Sequence, residues 1–277
     1  MIEQAKTELN IDSTKSWMIG DTTTDISTAK RAGIISILVG TGYGGRDGKW
    51  PCLPDFECTS FVQAVDLILN RWPRLQTLAA ELIKGITSSA IILIGGQARS
   101  GKSTLAATIA SELKERGLEA VVISLDSWLR SETDRIGNTV LDRYDLQAVK
   151  NFISSAQTLP GRKVVPRYDR MTRRSIPNGS EIYVPYGAVL VVEGVPALAD
   201  KFLRELASTR LYIDRDESDR IKEIYEYYLR RNWAIDKVAT LIEERQLEEV
   251  PFVERTMAFA DIILRDEKIE LRSGNLL

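Results

Sequence analysis

Residues 90–107 read Ala90-Ile-Ile-Leu-Ile-Gly-Gly96-Gln-Ala-Arg-Ser-Gly101-Lys102-Ser103-Thr104-Leu-Ala-Ala. An apolar run of strand length passes straight into G-x-x-x-x-G-K-S, and a helix-forming run follows. That context gives the motif its meaning. The glycines let the backbone curl so that successive N–H groups point inward at phosphate oxygens. The N-terminus of the following helix adds its dipole. The expectation is a Walker A loop in which Gly96, Gln97, Ala98, Arg99, Ser100, Gly101, Lys102, Ser103 and Thr104 enclose the phosphates of a nucleotide. Lys102 is expected to reach the β- and γ-phosphates, and the Ser103 hydroxyl to ligate Mg²⁺. The competing reading, a plain glycine turn between strand and helix, leaves the full motif in its context unexplained.

Working outward, the stretches 120–125, 188–192 and 209–213 read as further buried strands. Helical stretches at 102–116, 219–231 and 235–247 alternate with them. Continuous apolar strands alternating with helices argue for a parallel sheet covered on both faces. In such sheets ligands bind at the carboxyl ends of the strands. Asp126 ends the strand 121–125, where a carboxylate can take a proton from an attacking hydroxyl, hold Mg²⁺ through water, or simply cap the next helix. Glu193 follows the strand 189–192 in the place of a Walker B carboxylate, or is a loop acid without a ligand. Between them, Pro166-Arg167-Tyr168-Asp169-Arg170-Met-Thr-Arg173-Arg174 carries four arginines in eight residues. Guanidinium binds oxyanions bidentately, so this loop suits an anionic or polyhydroxylated ligand. A solvated basic loop is the alternative.

Upstream, a strand is expected at 16–20, a helix at 24–32 stopped by Gly33, a second strand at 34–39, a glycine- and proline-rich loop at 40–54, and a helix at 61–69. Trp72 and Pro73 interrupt the pattern, and 75–86 reads as a helix. These signals divide the chain into 1–70, a linker helix 71–88, and 89–277.

The whole chain has 277 residues, 44% hydrophobic and 27% charged, with a net charge of −2. That balance carries no basic footprint for nucleic acid. No run of about 18 apolar residues offers a membrane span. The first ten residues lack the basic and apolar regions of a signal peptide, and a cytoplasmic location is the expectation. Cys52 and Cys58 are expected to be isolated thiols. The sequence contains no histidine, which excludes Ser-His-Asp and Cys-His catalysis and any histidine base. Chemistry must run on carboxylates, Lys, Arg, backbone amides and a metal ion.

Residues 88–265 resemble the uridine kinase and phosphoribulokinase family of P-loop kinases. The resemblance rests on GGQARSGKST (95–104), SLD (124–126), PRYDRMTRR (166–174), VVEGVPAL (191–198), YIDRD (212–216) and Ala260-Asp261. It implies an α/β fold, a three-layer P-loop NTPase domain with a mostly parallel sheet. It also implies that Asp126 helps activate the acceptor hydroxyl, that Tyr168 and Asp169 contact the acceptor, and that Glu193 sits near the metal. The family's lid carries spaced arginines. Arg220 matches one, Glu223 and Tyr227 hold the next places, and Arg230 and Arg231 stand as substitutes.

The first unit looks like the C-terminal end of a haloacid-dehalogenase (HAD) phosphatase, through Gly20-Asp21-Thr-Thr-Thr-Asp25, AKRAG (29–33) and LVGTG (38–42). The resemblance implies that Asp21 and Asp25 hold Mg²⁺, while an N-cap role for either is the local alternative. Such phosphatases need a nucleophilic Asp in an earlier D-x-D. The 19 residues before Gly20 contain none, and the family's earlier lysine motif is missing as well. The expectation is a truncated, inactive phosphatase segment that packs on the kinase, dimerises, or is completed by a partner chain carrying the missing motifs.

The expected function is therefore ATP-dependent phosphoryl transfer, with Mg²⁺, to a hydroxyl of a small-molecule acceptor: a nucleoside, a sugar or a sugar phosphate. Arg167, Arg170, Arg173 or Arg174 would hold the acceptor, and the arginine-rich loop tilts the choice toward a phosphorylated or acidic one. Lys102 would bind the phosphates, and Arg220, Arg230 or Arg231 would screen the migrating charge. A nucleotide-binding regulatory module, or a non-catalytic fusion partner completing a phosphatase on another chain, are the alternatives. The guanine-reading N-K-x-D is absent from the sequence, which argues against a GTPase.

Overall fold

The structure, a computed structural model, describes every residue except Met1, Pro51, Asn138, Arg170, Met171, 230–232 and 272–277. The chain forms two compact units, Met1–Arg74 and Leu75–Leu277.

In the first unit α1 (Ile2–Leu9) precedes β1 (Trp17–Gly20), α2 (Thr23–Ala32), β2 (Ile35–Val39), β3 (Phe56–Cys58) and α3 (Phe61–Asp66). The sheet has the order β1-β2-β3 with both pairs parallel. Helix α2 begins at a capping box: the Thr22 side chain accepts from the Asp25 N–H, and the Asp25 carboxylate accepts from the Thr22 N–H. Gly33, at φ 66, stops it in the left-handed conformation that glycine adopts without penalty. Ile26 and Ala29 of α2 are buried, as are Ile37 and Val39 of β2. Trp17, Phe56 and Trp72 form an aromatic cluster with ring centroids 4.8 to 5.5 Å apart. Strand β3 has no counterpart in the sequence reading, because three residues are too few to display an alternation.

Helix α3 runs into a π turn at Leu67–Arg71 and then into α4 (Trp72–Leu82). The interruption expected at Trp72 and Pro73 is thus a local widening of the helix. Proline cannot donate to the carbonyl four residues back and its ring crowds that group; a π turn accommodates both effects. The boundary between the two units falls within α4.

The second unit contains β4 (Ile91–Gly96), α5 (Lys102–Glu115), β5 (Ala120–Ser124), α6 (Leu146–Thr158), β6 (Gly161–Asp169), β7 (Arg174–Val184), β8 (Val189–Glu193), α7 (Lys201–Leu206), β9 (Thr209–Asp214), α8 (Glu217–Leu229), α9 (Ile235–Thr256), β10 (Ile262–Arg265) and β11 (Lys268–Leu271). The main sheet has the order β11-β10-β9-β4-β8-β5. All its pairs are parallel except β10–β11. Alternation along each strand separates two cores. Ile91, Leu93, Leu190, Val192 and Tyr212 face one side with α6, α7 and α9. Ile92, Ile94, Val189, Val191 and Leu211 face the other with α4 and α5. Burying one such Leu or Ile contributes about 1.5–3 kcal/mol, so the two cores hold the three layers together. Among the described residues no helix is long and apolar enough to cross a membrane.

The 166–174 stretch corrects the sequence reading. Arg167, Tyr168 and Asp169 lie on β6 and Arg174 on β7, an antiparallel hairpin instead of a loop. Pro166 falls at a register irregularity between Val165 and Arg167, where its missing N–H costs no ladder bond. A proline among charged residues concealed the strand.

Strand β8 lies between β4 and β5. The carboxyl ends of these three strands therefore place the phosphate loop, Glu193 and Asp126 side by side.

Candidate active site

The phosphate loop has the backbone its composition demands. Gly96 has φ 138, and a Cβ there would lie 2.5 Å from the Ile213 carbonyl oxygen. Gly101, at φ 101, starts α5. Ala98 is half-buried, and Thr104 lies in the first turn of α5, its carbonyl accepting from Thr108 Oγ1 at 2.8 Å. The Gln97 carbonyl accepts from the Ser100 N–H at 3.2 Å and from Lys102 Nζ at 2.6 Å. Lys102 is 7% exposed. The Ser100 hydroxyl is buried and has no hydrogen-bond partner among the described residues.

Glu193, the last residue of β8, stands opposite Ile94 of β4 and Ser124 of β5. Its carboxylate accepts from the hydroxyls of Ser124 and Ser103 and is 4% exposed. Burial raises the Glu193 pKa, as does the charge of Asp126; Lys102 and the two serines oppose this. Burial lowers the Lys102 pKa, against the pull of Glu193, Asp126 and Glu249. An arriving polyphosphate shifts Lys102 toward its charged form, because an opposite charge nearby favours the ammonium.

Asp126 lies in the 3₁₀ turn Leu125–Trp128 after β5. Gly194 makes room for that turn: a Cβ there would meet Leu125 Cβ at 2.7 Å. Tyr144 Oη donates to Asp126 Oδ1 at 3.3 Å. Burial and the charge of Asp126 push the Tyr144 hydroxyl well above its ordinary range, so it stays protonated as a donor. On the hairpin side, Arg135 Nη2 donates to Tyr168 Oη at 3.4 Å. The Nε groups of Arg135 and Arg167 are both buried without a hydrogen-bond partner among the described residues. Arg173 pairs with Glu132 at 2.8 Å. Arg174 is exposed, and Asp169 Oδ1 accepts from the Thr172 N–H at 3.4 Å. The structure thus sets Arg135 against Tyr168, and leaves Arg173 on Glu132 and Arg174 exposed at the rim.

On α8, Arg220 is 2% exposed. Its Nε and Nη2 have no hydrogen-bond partner among the described residues, and Glu217 is 3.6 Å away as an ion pair. Burial lowers its pKa. A buried guanidinium with unused donors is a receptor for an incoming oxyanion. Arg170, Arg230 and Arg231 lie outside the described residues.

Sequence reasoning missed Arg135, Tyr144 and a carboxylate on α9. Glu249 is 6% exposed and pairs with Arg143 at 3.5 Å and Arg245 at 4.0 Å. One signal was available: Asp145 caps α6 by accepting from the Ala148 N–H at 3.2 Å, so Asp145 before an amphipathic run marks a helix start that presents Tyr144. The Arg135–Tyr168 contact spans 33 positions in sequence and has no local signal.

In the first unit, Asp21 Oδ2 accepts from the Tyr43 N–H at 2.8 Å. Asp25 Oδ2 accepts from Thr22 N–H at 3.1 Å and Thr22 Oγ1 at 2.6 Å. Among the described residues no group of three or more His, Cys, Asp or Glu side chains is arranged to hold a metal ion. Cys52 and Cys58 are not joined in a disulfide.

A P-loop between a central parallel strand and its helix, with a buried carboxylate at the end of the neighbouring strand, defines the second unit as a P-loop kinase fold. The profile of the Phosphoribulokinase / Uridine kinase family matches residues 91–270, and the chain belongs to that family. A HAD-hydrolase-like profile matches residues 1–64. A uridine kinase from Lactobacillus helveticus (strain DPC 4571) is 27% identical over 188 residues, covering 63% of this chain and 85% of that protein. Uridine kinase-like protein 5 of Arabidopsis thaliana is 27% identical over 184 residues; the match covers 63% of this chain but 38% of that longer protein. Among solved structures, a candidate fructose transport system kinase from Silicibacter sp. TM1040 shares the fold with a TM-score of 0.55 and 18% identity, covering 66% of this chain and 94% of that one. The chain is a small-molecule kinase.

Proposed function

We propose that this kinase transfers the γ-phosphoryl group of ATP to a hydroxyl of an anionic small molecule, with a sugar phosphate favoured over a neutral sugar or nucleoside. The observation that carries the reading is the buried, unused Nε of Arg135, whose Nη2 donates to Tyr168, together with a second buried, unused Nε on Arg167 of β6. Guanidinium groups held with free donors suit a phosphate or carboxylate on the acceptor. Asp169 and the rim arginines Arg173 and Arg174 lie on the same hairpin.

The residues divide the work as follows. The phosphate loop cradles the triphosphate with backbone N–H groups, and Lys102 exchanges the Gln97 carbonyl for phosphate oxygens. Asp126, oriented by Tyr144, accepts the proton of the attacking hydroxyl. Arg220 turns its free donors to the migrating phosphoryl group, with Arg230 and Arg231 proposed in the same role. Ser103 and Glu193 are hard oxygen donors in direct contact, a set that fits Mg²⁺. Bound there, Mg²⁺ supplies neutralisation of phosphate charge.

For Met1–Arg74 we propose no hydrolytic activity and association with a second copy or with a chain carrying a D-x-D motif. Its two outer strands have no further pairing partner among the described residues, and open edges invite pairing. The acceptor reading is tested by turnover against neutral nucleosides and sugars beside their phosphorylated and carboxylated counterparts. Turnover confined to the neutral compounds overturns the anionic preference.

A further inference from the structure

The two positions on α8 where arginines were expected, Glu223 and Tyr227, lie four residues apart and so project from one face of the helix. Neither is idle. The Arg99 guanidinium sits over the Tyr227 ring, 3.5 Å from its centroid. Glu223 pairs with Arg215, and the same Arg215 nitrogen donates to the Arg99 carbonyl at 3.1 Å. One residue of the phosphate loop is therefore held twice by one helix, through its side chain by Tyr227 and through its carbonyl by the Arg215–Glu223 pair. Arg99 also has φ 64, a left-handed conformation uncommon for a residue with a side chain. Strained residues of this kind persist where the surroundings over-determine them.

We infer that Arg99, Arg215, Glu223 and Tyr227 form a clasp that couples occupancy of the phosphate loop to the placement of α8, and hence of Arg220. These are positioning residues for the kinase reaction proposed above, and the inference rests on that reading. The physical basis is direct. Nucleotide binding immobilises the loop backbone, including the Arg99 carbonyl. An immobilised loop holds its two α8 contacts, and α8 carries Arg220 one turn before Glu223. The helix thus delivers cations without carrying all of them itself: Arg99 comes from the loop and Arg215 from the end of β9. Cation–π pairing with Tyr227 needs only the ring face, so its hydroxyl is dispensable.

Hydrogen exchange of the α8 amides with and without ADP and magnesium, alongside calorimetric binding of ADP, tests this on the full chain. In the unmodified protein, ADP should slow exchange across α8. Tyr227→Ala should abolish that slowing while changing the ADP dissociation constant less than about fivefold. Tyr227→Phe should retain it, and Glu223→Gln, a mild change that keeps the helix, should weaken it. In turnover, Tyr227→Ala should lose about tenfold or more in kcat with the KM for ATP nearly constant, and Tyr227→Phe should restore kcat. Equal ADP protection of α8 in Tyr227→Ala and the unmodified protein overturns the clasp. So does ADP binding that leaves α8 exchange unchanged in the unmodified protein. Failure of ADP to bind at all removes the nucleotide reading and the clasp together.

Discussion

At the phosphate end of the site the groups come from one stretch, 96–104, and the backbone supplies most of the donors. At the proposed acceptor end they come from separate segments: Asp126 after β5, Arg135 in the following loop, Tyr144 before α6, and Arg167 and Tyr168 on the hairpin. The first end recognises a feature common to every nucleoside triphosphate, and a short backbone device suffices. The second must recognise a particular molecule, and side chains from distant positions are assembled for it. The phosphate end is accordingly shaped by composition, with Gly96 and Gly101 in conformations other residues resist. The acceptor end is rigid by contact, through Tyr144 on Asp126 and Arg135 on Tyr168.

Substitutions can sharpen or break this contrast. Asp126→Asn should cost roughly a hundredfold to ten-thousandfold in kcat, the span of a lost general base. Calorimetry should find its ADP affinity nearly unchanged; a parallel loss of affinity would mean that Asp126 serves the phosphate end. Arg135→Ala and Arg167→Ala should each raise the acceptor KM about tenfold to a hundredfold, the size of one charge-assisted hydrogen bond. Steady-state kinetics should show the KM for ATP unmoved. Tyr144→Phe removes one hydroxyl from a buried contact and should lower kcat by about tenfold or less, with thermal unfolding confirming an intact core. The smallest effect belongs to the other unit. Asp21→Asn should leave kinase turnover unchanged, and neither that variant nor the unmodified protein should hydrolyse a sugar phosphate in a phosphate-release assay.

The contrast also explains what could be read in advance. Strands β4, β5 and β8 are largely apolar runs, so their positions, and those of Lys102, Asp126 and Glu193 at their ends, follow from local composition. The hairpin was not legible, because Pro166 and the charges around it mask a two-stranded ribbon that sends only a few apolar residues, Val165 and Val184 among them, into the core. Arg135 and Glu249 were not legible either, since their value comes from partners far away in sequence. Glu223 and Tyr227 looked like missing arginines on α8. In the fold they are the sites where Arg215 and Arg99 arrive, a substitution that only the three-dimensional arrangement reveals.

The central claim is acceptor-dependent phosphoryl transfer through the 96–104 loop. Its most direct measurement is mass-spectrometric detection of phosphorylated acceptor formed from ATP and Mg²⁺, over a panel weighted toward sugar phosphates, with Lys102→Ala run in parallel. The account predicts a product 80 Da heavier than one class of anionic acceptor, reduced about a thousandfold or more by Lys102→Ala. ATP hydrolysis without any phosphorylated acceptor, or product formation that survives Lys102→Ala, would contradict it.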